Sequence, residues 1–348
     1  MARIIYGVCG EGMGHAIRGK PILGHLTKRH RVKIFADEKA YAYLKRYFED
    51  INKIQGLHIK YKNNSVDGIK TFIFNLSNIA KLIRSYIALS REAKSFRPDL
   101  IISDLDMVSS YVALFSKIPI ISVDNQHATG KIRIDFPKKH LISFIKTRFV
   151  NRLMTIHADY YLITSFFYPE IKSKKASLVP PILREEIFRM KAKERGYFLV
   201  YQTSDTNKRL IEILKKTGKK FIVYGFNAEK NEGNLMFRRF NEKIFYRDLA
   251  DCMAVITNGG FTLISEAIHL GKPVLSIPIK GHFEQIINAL YLERLGYGRF
   301  IEEADEKNII DFVNDLGRYK KDLRKYKRKD NSEMLRKLDD AIRAVASS

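Results

Sequence analysis

Two glycine-containing turns hold most of the residues whose types and spacing could perform chemistry. The first, residues 10–15, follows an apolar run at the N-terminus, and the second, residues 257–266, follows a similar run in the C-terminal half. Closely spaced glycines let a backbone turn tightly and approach a ligand. A helix that starts directly after such a turn offers N–H groups and the positive end of its dipole to an anion. Both turns therefore predict contact with a phosphorylated or otherwise anionic small molecule.

The N-terminal turn contains candidate acid–base residues. His15 lies where the first predicted strand ends, and an imidazole titrates near neutral pH, so it can take a proton from a hydroxyl nucleophile. A structural role for His15 stays open, and Glu11 is the rival base in a turn shaped by Gly12 and Gly14. Arg18 is either an anion contact or a solvated helix charge. The glycine spacing differs from the Gly-x-Gly-x-x-Gly fingerprint of dinucleotide sites, so we predict no nicotinamide cofactor.

Asp104 and Asp106 form an Asp-x-Asp pair after a predicted strand at residues 99–103. Such a pair can hold a divalent metal, but alternate residues of a continuing strand point to opposite faces. We therefore predict no metal site here. We expect Asp104 to contact an acceptor or to orient His15, and it is a third candidate for the base beside His15 and Glu11.

The C-terminal turn begins a longer set of polar residues. Asn258, Gly259 and Gly260 precede a predicted helix, and Glu266 follows about a turn and a half later. The turn suits a phosphate, and a carboxylate at that spacing can accept hydrogen bonds from both hydroxyls of a ribose. A solvated helix charge is the alternative role for Glu266. The head of the next predicted helix carries polar residues that suit sugar hydroxyls, namely His282, Glu284 and Gln285.

The elements that position these residues alternate between strand and helix along the whole chain. Short β-branched runs such as residues 3–8 and 197–201 are separated by longer helical patterns, which predicts parallel sheets covered on both faces. A second set of strands begins after Pro180 and Pro181. We therefore predict an α/β protein with two doubly wound domains, residues 1–180 and 181–348, facing across a cleft. A basic helix would end the second domain.

Two helical stretches carry apolar residues at helical spacing. In residues 75–96 the spacing predicts a buried stripe, formed by Ile79, Leu82, Ile83, Tyr86 and Ile87. Residues 137–156 combine an apolar face with several Lys and Arg residues. This second stretch is either a basic amphipathic helix that lies on an anionic lipid surface or a core-packed helix with a charged outer face.

Composition excludes several classes of protein. The chain has 348 residues, a formal net charge of +24 and a hydrophobic fraction of 45%, which excludes disordered and collagen-like chains. Cys9 and Cys252 are isolated, which indicates a reducing, cytoplasmic location, and no apolar run reaches the roughly 18 residues of a membrane-spanning helix. The charge suits phosphorylated molecules, anionic lipids and nucleic acids. No nucleic-acid-binding motif is present, so we predict no specific nucleic-acid partner.

Residues 257–298 resemble the nucleotide-sugar signature of GT-B glycosyltransferases, in particular the MurG-like glycosyltransferase family 28 and the related UDP-glycosyltransferases. Residues 10–18 resemble the N-terminal Gly-His loop of the same group. The resemblance implies two Rossmann-like domains, the first on the acceptor side and the second on the donor side. It also implies that a sugar moves from a nucleotide diphosphate, foremost UDP, to an acceptor hydroxyl with inversion and without a metal.

The resemblance also implies contacts by position. For the donor these are Asn258, Gly259 and Gly260 at the diphosphate, Glu266 at the ribose, Glu284 and Gln285 at the sugar, Thr262 and His282 in the same signature, and Gln202, Thr203 and Ser204 beside the diphosphate. His15 matches the family's N-terminal histidine, a proposed base or acceptor contact. The chain departs from the pattern at Asn258, where Arg or His often stands, and at residues 202–205, which lack the usual glycines.

The sequence leaves the reaction type and the acceptor open. A UDP-sugar hydrolase or 2-epimerase on the same scaffold would share the glycine turn and Glu266, although the pattern of Glu284, Gln285 and Asn288 favours transfer. The acceptor is either water-soluble or lipid-linked, and a lipid-linked acceptor would place the protein peripherally at the inner face of the membrane.

Overall fold

The chain, described by a computed structural model at residues 1–62, 65–202 and 207–346, divides into two compact units. Unit 1 contains residues 1–60, 67–184 and the residues from 329 onward, and unit 2 contains residues 61–66 and 185–328. The division at residue 184 lies close to the predicted boundary at residue 180. The last helix differs from the prediction, because it belongs to unit 1 and not to the C-terminal unit.

In chain order the strands are β1 (Arg3–Val8), β2 (Arg31–Asp37), β3 (Ile51–Ile54), β4 (Tyr61–Lys62), β5 (Ser65–Val66), β6 (Leu100–Asp104), β7 (Ile120–Asp124), β8 (Tyr160–Thr164), β9 (Ala176–Val179), β10 (Tyr197–Tyr201), β11 (Lys220–Tyr224), β12 (Lys230–Glu232), β13 (Leu235–Phe237), β14 (Val255–Thr257), β15 (Val274–Ser276) and β16 (Gly298–Phe300). The helices are α1 (Met13–Leu26), α2 (Glu38–Leu44), α3 (Gly68–Ser77), α4 (Ile79–Phe96), α5 (Met107–Ser116), α6 (Ala128–Lys131), α7 (Leu141–Met154), α8 (Glu185–Arg189), α9 (Lys208–Lys216), α10 (Glu242–Asp251), α11 (Phe261–His269), α12 (Phe283–Arg294), α13 (Glu306–Asn314), α14 (Leu316–Leu323) and α15 (Ser332–Ala346).

Unit 1 is built around a parallel sheet with the strand order β3-β2-β1-β6-β7-β8-β9. Its central strands are almost continuous runs of Ile, Leu and Val, as expected for strands that are buried on both faces. Helix α15 packs Met334, Leu338 and Ile342 into the same core. The strand order reverses between β1 and β6, and in open α/β sheets this is where ligands bind.

Unit 2 contains a second sheet with the strand order β12-β13-β11-β10-β14-β15-β16. Its neighbouring strands are parallel except for β12, which pairs antiparallel with β13. Here the order reverses between β10 and β14. The carboxyl end of β10 is followed by Gln202, and that of β14 is followed by Asn258 and Gly259. The expected α/β architecture of two doubly wound units is therefore confirmed.

The predicted burial of the stripe in residues 75–96 is wrong. The segment forms two helices, α3 and α4, which meet at Asn78. In α4 the side chains of Ile79, Ile83 and Ile87 are 50%, 53% and 43% exposed, and the buried residues are instead Leu89 and Ala93. Helix α4 thus buries only residues in its C-terminal half and leaves an apolar face exposed to solvent.

Helix α7 also exposes its apolar face. Ile142, Ile145 and Phe149 are 69%, 56% and 63% exposed, so the predicted alternative of a core-packed helix is wrong for this face. Asn151 and Met154 are the residues that α7 buries. Within the described residues, no helix combines the length and the apolar character that a membrane crossing requires.

Candidate functional site

The first candidate site lies in unit 1, where the carboxyl ends of β1, β6 and β7 meet. His15 Nδ1 lies 2.6 Å from Asp104 Oδ1, and Arg18 Nε donates to Asp104 Oδ2 at 2.8 Å. Arg18 Nη1 donates to Asn125 Oδ1 at 2.7 Å. All four side chains are buried. The structure therefore brings together His15, Arg18 and Asp104, which the sequence singled out separately.

The glycine turn sets the direction of α1. Gly12 has a φ of 80°, a left-handed backbone conformation that glycine adopts without strain, and it directly precedes the helix. His15 and Arg18 are three residues apart and so share one helix face, which turns toward β6. Gly14 lies in the first turn of α1, after Gly12 and directly before His15. This explains how a short turn places an imidazole and a guanidinium against one carboxylate.

Arg18 is neither a solvated charge nor an open anion contact in this structure. Burial alone would lower the pKa of its guanidinium, but the adjacent Asp104 carboxylate raises that pKa above its ordinary value. The side chain is 3% exposed, and its donors are directed at Asp104 and Asn125. Its positive charge therefore compensates the buried carboxylate, as a buried charge requires.

The environment of His15 bears on its protonation. When Nδ1 carries the proton and donates to Asp104, the lone pair of Nε2 is left to accept a proton. Gln126 Nε2 lies 3.4 Å from that Nε2, in a position to donate to it. Arg18 Nη2, which can only donate, lies 2.8 Å from Nδ1 and also donates to Asp104 Oδ1. The contacts with Asp104 and Gln126 favour a proton on Nδ1, whereas the contact with Arg18 favours a proton on Nε2.

The residues that follow β7 also belong to this site, although the sequence-based predictions do not include them. Asp124 ends that strand, Asn125 and Gln126 contact Arg18 and His15, and His127 Nδ1 lies 2.6 Å from Asp124 Oδ2. Burial alone would raise the pKa of Asp124, but the neighbouring His127 holds it well below its ordinary value. A polar run directly after an apolar strand was the available signal, since strand ends at one edge of a parallel sheet converge.

Glu11 has a different environment from His15. Its carboxylate accepts a hydrogen bond from the Ile59 N–H at 3.1 Å and lies 3.7 Å from His58 Nδ1. Burial would raise its pKa, but these contacts lower it below the ordinary value. A carboxylate that holds its charge in this way accepts protons less readily, so the geometry favours His15 over Glu11 as the base.

Asp106 does not share partners with Asp104. Its carboxylate accepts the Ser109 N–H at 2.7 Å and so caps the start of α5. Burial raises its pKa to about 6. Leu105 between the two acids has a φ of 51°, which turns the backbone at the end of β6. The two carboxylates of the Asp-x-Asp pair therefore serve different groups.

The second candidate site lies in unit 2 at the ends of β10 and β14. Asn258 Nδ2 donates to Gln202 Oε1 at 3.0 Å and to the Ile277 carbonyl at 3.2 Å, and both side chains are buried. The two predicted segments are thus joined directly across the point where the strand order reverses. Thr203 and Ser204 lie outside the described residues.

The Gly259–Gly260 turn is held in a tight position. Gly259 has a φ of 94°, and a Cβ there would lie 2.7 Å from Ser276 Oγ and 3.0 Å from the Gln285 carbonyl oxygen. Asn288 Nδ2 donates to the Gly259 carbonyl at 3.1 Å. By contrast, a Cβ on Gly260 would meet nothing within 4 Å. Only one of the two glycines is therefore required by packing, and the other leaves open space at the start of α11.

The start of α11 is suited to an anion. Gly260 precedes the helix and has no capping side chain, and no acidic residue occupies the first turn. Thr262 lies in that turn and is partly exposed. Glu266 comes later on α11 and is completely buried, so it is not a solvated helix charge. A ribose hydroxyl would reach the Glu266 carboxylate only after that carboxylate becomes accessible.

The start of α12 carries a negative charge, unlike the start of α11. Glu284 places a partly exposed carboxylate in its first turn. His282 precedes the helix, and its ring is nearly parallel to the ring of Tyr61, with the two ring centres 6.5 Å apart. Gln285 is buried, and its Oε1 accepts the Ile279 N–H at 2.9 Å, which fixes the loop before the helix. This end therefore suits hydroxyl groups, which can donate to a carboxylate, and not a phosphate.

Comparison with known proteins identifies the family. The family model described as glycosyl transferase family 1 matches residues 2–317. A protein named as an uncharacterized glycosyltransferase from Methanosarcina acetivorans is 25% identical over 88% of this chain and 88% of its own length. A UDP-N-acetylglucosamine–N-acetylmuramyl-(pentapeptide) pyrophosphoryl-undecaprenol N-acetylglucosamine transferase from Bacillus thuringiensis is 24% identical over 85% of this chain and 88% of its own length.

A solved glycosyltransferase structure has the same fold as this chain. The glycotransferase of kitacinnamycin superposes with a TM-score of 0.74 at 16% identity, covering 99% of each chain. The whole chain thus has the GT-B architecture of two Rossmann-like units, and the predicted resemblance is confirmed. On the match over residues 2–317, this protein belongs to glycosyl transferase family 1 and is a glycosyltransferase.

Proposed function

We propose that the protein transfers a sugar from a UDP-sugar to an acceptor hydroxyl, with inversion at the anomeric carbon and without a metal ion. The observation that carries the proposal is the contact of His15 with Asp104 at the strand-order reversal of unit 1. It is supported by the matching reversal in unit 2, where Asn258 and Gly259 lie. The name of the Bacillus thuringiensis relative supports UDP as the carrier.

Unit 2 binds the donor in this proposal. The diphosphate lies at the start of α11, where the backbone N–H groups after Gly259 and Gly260 and the helix dipole stabilise negative charge. As the sugar leaves, charge builds on that diphosphate, and groups that are already oriented toward it lower the barrier. Glu266 holds the ribose, and Glu284 with Gln285 holds the sugar hydroxyls.

Unit 1 activates the acceptor. His15 Nε2 takes the proton of the acceptor hydroxyl as its oxygen forms a bond to the anomeric carbon and the bond from that carbon to the diphosphate oxygen breaks. Asp104 stabilises the imidazolium that results, because it already contacts Nδ1 at 2.6 Å. Direct displacement in one step inverts the configuration, and its transition state has oxocarbenium character, as in glycoside chemistry.

The acceptor is lipid-linked in this proposal, and the protein works peripherally at the inner, cytoplasmic face of an anionic membrane. Helix α7 supports this, because its exposed apolar residues are accompanied by exposed basic ones, namely Lys138, Lys139, Lys146, Arg148 and Arg152. A basic amphipathic surface binds anionic lipid by apolar burial and by charge. The pyrophosphoryl-undecaprenol in the relative's name is a substrate of this class.

The test of transfer is a measurement of UDP release from UDP-sugars in the presence and absence of polyprenyl-diphosphate-linked acceptors. We expect release that requires the acceptor, survives EDTA and gives a product whose anomeric configuration, read by NMR, is opposite to that of the donor. UDP release or epimerisation without any acceptor would instead assign a hydrolase or 2-epimerase.

Substitution of His15 tests the base. We expect His15→Gln to lower kcat by about 10²–10⁴-fold, which is the usual contribution of a general base. The matched control is His157→Gln, because His157 is exposed and its ring lies 3.2 Å from Asp159, away from His15 and Asp104 in sequence. Equal turnover in both variants would remove His15 from the role and return it to Glu11 or Asp104.

A further inference from the structure

A second histidine of unit 1, His58, lies between two carboxylates beside the N-terminal glycine turn. His58 Nε2 lies 3.1 Å from Asp37 Oδ2, and His58 Nδ1 lies 3.7 Å from Glu11 Oε2. Asp37 ends β2, Glu11 belongs to the turn after β1, and His58 follows β3. One imidazole therefore connects the loops that follow three neighbouring strands of the sheet.

Two glycines allow this close approach. A Cβ on Gly10 or on Gly56 would lie 2.8 Å from Asp37 Oδ2, so both loop backbones pass directly against the carboxylate. Asp37 is completely buried, and neither of its oxygens accepts a hydrogen bond of good geometry from a described residue. A buried carboxylate is costly unless a charge compensates it. The His58 imidazole is the group that lies against it.

His58 is itself fixed from the other side by α3. The backbone N–H of His58 donates to Asn75 Oδ1 at 3.0 Å, and Asn75 Nδ2 donates to the backbone carbonyl of His58 at 2.8 Å. The ring also meets the edge of Phe74 at 5.8 Å. Helix α3 buries none of its residues, so these contacts are a substantial part of its attachment. The histidine thus joins α3 to the glycine turn.

We propose that His58 is a positioning residue for sugar transfer: as an imidazolium between Asp37 and Glu11, it holds the Gly10–Gly12 turn, and through that turn His15, in the geometry that accepts the acceptor proton. The proposal rests on the proposed function of His15. Release of the imidazolium charge frees the turn and leaves the Asp37 carboxylate uncompensated.

The charge state of His58 follows from its surroundings. Contacts with Asp37 and Glu11 raise its pKa to about 9 from an ordinary 6.5, although burial opposes the change. The other charged groups nearby are Lys39, which acts on Glu11, Asp106, which interacts with Asp37, and Lys60, whose Nζ lies 3.5 Å from the centre of the Phe74 ring. The imidazolium therefore persists at neutral pH and is lost as the pH rises through about 9.

Kinetics separate this role from a merely structural one. We expect the wild-type kcat to fall above about pH 9. His58→Gln should lower kcat at neutral pH by about tenfold or more while leaving the KM for the donor unchanged, because a misplaced base slows chemistry and not donor binding. His58→Lys, which keeps a positive charge to higher pH, should restore part of kcat and move the fall to higher pH.

A second readout is independent of catalysis. In protein labelled at histidine, NMR should give His58 a pKa near 9, and hydrogen exchange of the peptide that spans residues 7–17 should be faster in His58→Gln than in wild type at neutral pH. His157→Gln is the control and should match wild type. Unchanged exchange together with an unchanged pH profile in His58→Gln would overturn the proposal. Faster exchange in a protein that transfers no sugar would overturn the proposed function and retain the role of His58 in holding the turn.

Discussion

At the scale of single residues, the sequence indicates that the residues at the strand ends, among them His15 and Asp104, come together, but it does not assign the individual contacts. The sequence places both residues just after strands, and strand ends at one edge of a parallel sheet converge. It does not show which strands are neighbours. The contacts of Arg18 with Asn125 and of His15 with Gln126 depend on β7 lying next to β6, which only the fold reveals.

Substitution of Asp104 by asparagine tests the tautomer of His15. The side-chain amide introduced by Asp104→Asn would present an N–H to Nδ1, which moves the ring proton to Nε2 and removes the base. We expect this variant to lower kcat by about 10²–10⁴-fold with little change in donor KM, measured by steady-state kinetics. A kcat within about twofold of wild type would show that Asp104 does not set the protonation of His15.

The pair of Asp124 and His127 gives a stability prediction with a definite pH sign. Because the pKa of Asp124 is lowered from 3.8, its ionised form stabilises the fold above that pH, and the contribution is lost as the pH falls below it. We expect Asp124→Asn to lower the free energy of unfolding by about 3–5 kcal/mol at pH 7, measured in denaturant, and by less at pH 3. Asp99→Asn is the control, since Asp99 is an exposed partner of Arg3. If the difference in free energy of unfolding between Asp124→Asn and wild type were the same at pH 7 and pH 3, the ionised Asp124 carboxylate would not be its source.

At the scale of elements, the sequence predicts long buried strands well and amphipathic helices less well. The bounds of β1 and β10 are as predicted, because their apolar runs are continuous and are flanked by polar residues. Short edge strands such as β12 and β16 were missed, since they have few residues to carry a pattern. In α4 the apolar spacing correctly predicts a helix, but spacing alone does not show whether another part of the protein covers its apolar face.

The turn before α11 gives a prediction at this scale. Gly259→Ala places a Cβ at 2.7 Å from Ser276 Oγ in a left-handed backbone conformation, so we expect a loss of about 1–3 kcal/mol in the free energy of unfolding and weaker UDP binding. The matched control is Gly317→Ala in α14, where a Cβ meets nothing within 4 Å. That variant should be neutral or more stable by up to about 1 kcal/mol. Equal UDP affinity in both variants would show that the turn before α11 does not contribute to donor binding.

At the scale of the whole molecule, the GT-B architecture could be predicted from the alternation of strands and helices together with the motif at residues 257–298. The packing of α15 could not. Its charged composition indicates a solvated helix, but a face of small and apolar residues, including Met334 and Leu338, belongs to the core of unit 1. A helix that follows one unit in sequence and packs on the other leaves no local signal in the chain.

The net charge of +24 and the exposed faces of α3, α4 and α7 predict binding to anionic membranes. We expect co-sedimentation with phosphatidylglycerol vesicles that weakens with salt and is absent with pure phosphatidylcholine. Replacement of both Ile142 and Phe149 by Ser should weaken it, because both side chains are more than 60% exposed and α7 carries the basic residues. Ile310→Ser, on an exposed isoleucine of unit 2, is the control. Binding that does not depend on lipid charge would contradict the proposed attachment to anionic membranes.

The most direct test of the account is a crystal structure of the protein grown with UDP. We expect the diphosphate to accept hydrogen bonds from the backbone N–H groups at the start of α11. We expect the ribose hydroxyls to contact Glu266, whose carboxylate becomes accessible in the complex. UDP bound at another place, with the turn at Asn258 and Gly259 unoccupied, would contradict the claim that this turn holds the nucleotide of the sugar donor.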